Sequence, residues 1–94
     1  MLKKKTVEVI NVDGEGLLSF IGKRVLLMCA NFYYEGVLEG VNHECVLLSD
    51  AGIVYSTGAW NEKSWNDRQQ LPSDHYVMIQ SIESFCKSPS IVLS

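Results

Sequence analysis

The sequence predicts a small all-β domain of five strongly bent strands preceded by a short helix, and three observations lead there. Between Phe20 and Ala51, three apolar runs of strand length follow one another, at 25–30, 33–41 and 45–49. They are rich in β-branched and aromatic residues and are separated only by Asn31 and by Asn42-His43-Glu44, which tolerate turns. Three such runs with short links make a meander. Next, the first run is apolar on both faces, since alternation sets Val25, Leu27 and Cys29 on one side and Leu26, Met28 and Ala30 on the other. A strand buried on two faces in so short a chain calls for a second layer, a closed barrel or a partner subunit. Finally, Gly36 and Gly40 lie inside the second run, on the side of Tyr34 and Leu38. Glycine within a strand marks a bend or bulge, and closing a barrel from five strands needs such bends.

The elements follow in order. Residues 1–12 read as an arm or extra strand, with Val7 and Val9 alternating against Thr6, Glu8 and Ile10 after Lys3-Lys4-Lys5. Asp13-Gly14 breaks that run, and the domain proper is expected over 13–86. Leu17, Leu18, Phe20 and Ile21 have helical spacing for one to two turns, and Gly22 supplies the left-handed residue that ends a helix. After the three central strands, Asp50-Ala51-Gly52 reads as a turn and 53–59 as a fourth strand with Ile53, Tyr55 and Ala59 facing one way. Residues 60–75 show no periodicity, contain both tryptophans, and end near Pro72, which cannot donate to a sheet. The fifth strand is 76–82, with Val77 and Ile79 on one face and Tyr76, Met78 and Ile82 on the other. Residues 87–94 form a tail.

Composition bounds the function. The chain has 94 residues, 47% of them apolar, which fits one folded domain and excludes a disordered one. A domain of this size buries a modest share of its surface, so self-association is an expected source of stability. The net charge of −3 gives no general attraction to a polyanion, and nucleic-acid contact would need a local site. Cys29, Cys45 and Cys86 are an odd set without C-x-x-C spacing, which points to reduced thiols in a cytoplasmic setting. No apolar core follows the lysines to make a signal peptide, and no stretch is suited to span a membrane.

Ile21-Gly22-Lys23, Val25, Leu27, Tyr34-Glu35-Gly36-Val37-Leu38, Val41-Asn42 and Leu47-Leu48-Ser49-Asp50-Ala51 together resemble the first sequence motif of the Sm and Sm-like family. The resemblance implies a five-stranded Sm-like barrel of SH3-like type, its open end capped by the N-terminal helix with Leu18 and Ile21 as plugs. It also implies a head-to-tail homo-oligomeric ring in which the fourth strand of one copy pairs with the fifth of the next, with about five to seven subunits if the rotation closes. Residues 76–82 carry no charge and no proline, which leaves that edge open to another chain. Tyr55, Trp60, Trp65, Tyr76, Val77, Met78 and Ile79 are the expected subunit contacts, with the large aromatics as anchors.

The family's rings bind single-stranded, uridine-rich RNA at the inner rim, which makes Asn42, His43, Cys45, Lys63 and Arg68 the expected RNA contacts. Asn42 stands where the family has an aspartate, His43 where a base stacks, and Glu44-Cys45 where the family has Met-Asn. Cysteine lacks the paired donor and acceptor of an asparagine amide, and the chain has no Arg-Gly pair, although Lys63 and Arg68 fall in the right region. Two expectations follow. One is a ring that holds or chaperones RNA without chemical change; the other is an interaction ring in which the nucleotide site has been lost. His43 and Cys45 alone supply neither the aligned base and oxyanion site of a cysteine nucleophile nor the three or four ligands of a zinc site, so no enzyme, cofactor or metal is expected.

Overall fold

A computed structural model describes residues 16–60 and 65–88. The expected N-terminal arm and Lys63 lie outside the described residues. The chain runs through a 3-10 turn at Leu17–Phe20, then β1 (Arg24–Cys29), β2 (Tyr33–Val41), β3 (Cys45–Ser56), β4 (Asp67–Gln70), β5 (His75–Met78), a second 3-10 turn at Ile79–Ser81, and β6 (Ile82–Lys87). All pairings are antiparallel, in the order β4-β3-β2-β1-β6, with β5 also on β3. The all-β class is as the sequence predicts, but the described residues contain six strands where five were expected.

The central meander forms where the apolar runs predicted it. The expected helix does not: Leu17–Phe20 is a single 3-10 turn, too short for its own hydrogen bonds to stabilise it. It is tied down instead through the backbone, where Gly22 N–H donates to the Leu38 carbonyl at 2.7 Å and Leu38 N–H donates to the Lys23 carbonyl at 2.9 Å. Gly22 has φ +88°, the left-handed conformation expected of it. Leu17 and Phe20 pack on the core, whereas the expected plugs Leu18 and Ile21 are exposed. In a 3-10 turn residues three apart lie above one another, so the inward face is 17 and 20.

Asp50-Ala51-Gly52 is not a turn. β3 runs through it, and the expected fourth strand is the second half of β3, ending at Ser56. The register jumps there: Glu35 pairs with Gly52 and Val37 with Ser49, so Gly36 faces two residues, Asp50 and Ala51. This is a β-bulge, with Asp50 at φ +47°, and a bulge uses the same left-handed polar residue that a turn does. Gly36 is required here for proximity: a Cβ on it would lie 2.9 Å from the Ser49 carbonyl oxygen and 3.1 Å from Ala51 Cα. Gly40, expected as a second bend, sits at a register shift between Leu38 and Gly40, with nothing near its own Cβ position.

Because β3 is one strand, the expected fourth strand is no sheet edge; β2 and β4 flank it. The aperiodic 60–75 stretch contains β4, whose sequence DRQQ carries no apolar alternation. The expected fifth strand is interrupted. Its apolar pattern runs through, but Ile79–Ser81 is a 3-10 corner, placing Ile79 in a turn and starting β6 on the far side of the sheet, against β1. Lys87, assigned to the tail, belongs to β6.

Val25, Leu27, Cys29, Leu38, Val46, Leu48, Ala51 and Val77 form the core on one face. Burying each large aliphatic among them stabilises by about 1.5–3 kcal/mol. Leu26 is equally buried on the opposite face, in register with Glu35, which accounts for a first strand that is apolar on both sides.

Candidate functional site

The expected RNA contacts divide into two places. Asn42, His43 and Cys45 form the tight β2–β3 turn. The Asn42 side-chain oxygen accepts the N–H groups of Glu44 at 2.7 Å and Cys45 at 2.8 Å, and Asn42 N–H donates to the Cys45 carbonyl at 2.9 Å. Asn42 therefore builds the turn, as asparagine side chains do when they imitate a backbone carbonyl. Asn42→Ala, which removes both side-chain bonds, should lower stability by about 1–2 kcal/mol, with Asn42→Asp close to wild type, measured by urea unfolding.

His43 points to solvent, its side chain 89% exposed, with Nε2 3.6 Å from a Glu44 carboxylate oxygen. Cys45 pairs with Met78 at the start of β3. The second 3-10 turn docks alongside, as Ile79 N–H donates to the Glu44 carbonyl at 2.8 Å. His43, Glu44, Gln80 and Ser81 thus come from two adjoining turns, neither of which contains a lysine or arginine.

Arg68 is elsewhere. From Glu35 to Val41 strand β2 rises roughly 20 Å, and Arg68 is fixed at the Glu35 end. Its Nε donates to Glu35 at 3.0 Å, one Nη donates to Gln70 at 2.6 Å, and the other donates to the Asp50 carbonyl at 2.8 Å. Arg24 takes Glu35 in a fork, at 2.8 and 3.0 Å, and also donates to the Asp50 carboxylate at 2.8 Å and its carbonyl at 3.1 Å. The Glu35 side chain is fully buried beneath the two guanidinium groups. Hydrogen bonding to Glu35 raises the Arg24 pKa, and hydrogen bonding to Arg24 lowers that of Asp50. The cluster fastens the β3 bulge: both arginines bond the backbone of the left-handed Asp50. Held in this way, with its side chain only 11% exposed, Arg68 serves as a structural cation of the bulge.

Sequence reading missed Arg24, Glu35, Asp50 and Gln70. One signal was available, since a hairpin with its turn at 30–32 sets Arg24, the one charge of β1, diagonally across from Glu35.

The expected subunit contacts also divide. Tyr76 and Met78 are exposed on β5, whereas Val77 between them is a core residue and Ile79 packs on the core. Tyr55 is exposed and meets Phe32 edge-on at 5.9 Å; Phe32 in turn meets Tyr34, which stacks on His75 at 5.2 Å. Trp60 and Trp65 meet edge-on at 6.4 Å, and Trp65 Nε1 is buried with no hydrogen-bond partner among the described residues. Burial raises the Cys29 and Cys86 thiol pKa values, favouring the unreactive form. Among the described residues no helix is long and apolar enough to cross a membrane, and no cluster of three or more candidate ligands could hold a metal.

No protein-family model matches this chain, and no curated protein aligns with it.

Proposed function

We propose that the chain is a Sm-like, strongly bent barrel that acts without catalysis, as the subunit of a self-assembling ring used as an interaction scaffold in the cytoplasm. The observation that carries this is the set of open strand borders, above all those of β5 and β6. Among the described residues β4 and β5 each pair only with β3 and β6 only with β1; β4 (DRQQ) is charged, and Ile79–Ser81 joins β5 and β6 into a corner. An unpaired edge without charge or proline invites another chain, and β5 (HYVM) is such an edge. Two different borders on one copy suit head-to-tail contact, which closes into a ring when the rotation allows. The barrel is supported by the way the last strand returns to the first while the preceding strand stays on β3.

A second function, holding single-stranded RNA, draws on the adjoining turns that expose His43 beside Gln80 and Ser81. A base can stack on an imidazole, but the phosphates would meet Glu44 and no fixed cation, and Arg68 is committed to Glu35. The scaffold is therefore the favoured role.

Sedimentation over a range of concentrations tests the assembly: the expected native mass is a multiple of the 10.5 kDa chain, and a 10.5 kDa species at every concentration would end the ring. Titration with a labelled uridine-rich oligonucleotide at rising salt should give no saturable binding. Saturable binding weakened by His43→Ala would move the assignment to RNA.

A further inference from the structure

A groove of about 410 Å³ lies beside the open edge of β5, between that strand and the β1–β2 turn. This is within the roughly 300–1,000 Å³ of pockets that take specific ligands. Phe32, Tyr34, Tyr76 and Met78 give it apolar walls, and Glu83 is the charged residue among those that line it. Tyr76 is 64% exposed and Met78 54%, high values for residues placed on the border of a sheet. A matching occupant has a large apolar side chain with a cation close behind it. Phosphate would be repelled, since the lining contains no lysine or arginine.

The chain carries that pair itself. On β6, Phe85 meets Phe20 edge-on at 6.2 Å yet is the one large hydrophobic of the strand that stays exposed, at 39%, and Lys87 lies two residues on, on the same face of the strand. Resting on the ring proposed above, we infer that the groove is the receptor for a second copy of this chain: Phe85 of the neighbouring copy fills it, and Lys87 of that copy stands against Glu83. The aromatic anchor then supplies most of the contact, and the charge pair sets its register.

The test is the concentration at which native mass rises, measured by sedimentation for the full chain and its variants. Tyr76→Ala should raise that concentration about tenfold or more. Glu83→Lys and Lys87→Glu should each raise it about three- to tenfold, and the double variant Glu83→Lys/Lys87→Glu should return to within about twofold of wild type, because every contact in the ring then carries the exchanged pair. All three positions are exposed in the single copy, so thermal melting checks that each variant is folded; Met78→Ala replaces Tyr76→Ala if the latter melts early. Assembly by the wild type with unaltered reversal variants, or a double variant worse than either single one, would overturn the groove while leaving the ring. A wild type that never assembles would overturn both.

Discussion

Glu35→Ala lowers the unfolding free energy by about 3–5 kcal/mol, the range seen when one partner of a buried charge network is removed. A domain of this kind is stable by only about 5–15 kcal/mol, so the variant stands at the margin of folding. The loss has little to do with the small volume deleted. Arg24 and Arg68 donate three hydrogen bonds to a carboxylate that is fully buried. Without it, two guanidinium groups converge on one site with no anion between them. Part of the loss also reaches the backbone, because the same two side chains bond the Asp50 carbonyl and keep the left-handed residue of the bulge in place. Glu35→Gln, which keeps the shape and one acceptor oxygen, should fall between. Replacing all three members, Arg24→Met with Glu35→Leu and Arg68→Met, removes the stranded charges and should recover part of the loss, but only part, since the Asp50 carbonyl then loses both donors. Urea unfolding at matched protein concentration measures each value; a Glu35→Ala variant within about 1 kcal/mol of wild type would show that the cluster is an ordinary surface pair.

The same cluster shows where the sequence stopped being informative. The hairpins around β1, β2 and the first half of β3 were legible because local alternation and turn residues suffice to define them. The bulge at Asp50 was not, since the residues that suit a turn also suit a bulge, and only the pairing with β2 decides between them. Strand β4 was hidden for a related reason: the inward residue of DRQQ is Arg68, whose partner Glu35 is 33 residues away, so no apolar period marks the strand. The break at Ile79–Ser81 was hidden because alternation continues through it, while the chain turns to place β6 against β1. In the expected site, Asn42 was legible as a turn former from its own chemistry. Arg68 falls in the expected region of the chain, but the fold puts it at the other end of β2, on Glu35.

Gly36→Val should leave the chain unfolded or insoluble, and the cause is the narrowness of the bulge. Asp50 and Ala51 crowd opposite one residue of β2, and the atoms that a Cβ at Gly36 would meet are backbone, at 2.9 Å and 3.1 Å. Backbone held in a ladder on both sides cannot swing away as a side-chain tip would, and Gly36 is also paired with Val25 on β1. Gly36→Ala already places one methyl there and should cost about 1–3 kcal/mol, the usual range for overpacking; two further γ-carbons must point into the same gap, and moving β3 to admit them would pull Asp50 away from Arg24 and Arg68. Gly40 is the internal control. It lies on the same strand, but its Cβ position is empty, so Gly40→Ala should stay within about 0.5 kcal/mol of wild type. A thermal melt of the three variants side by side separates the causes: equal losses at 36 and 40 would mean that glycine serves strand flexibility in general, and a Gly36→Val variant melting like wild type would mean that β2 and β3 do not meet in this register.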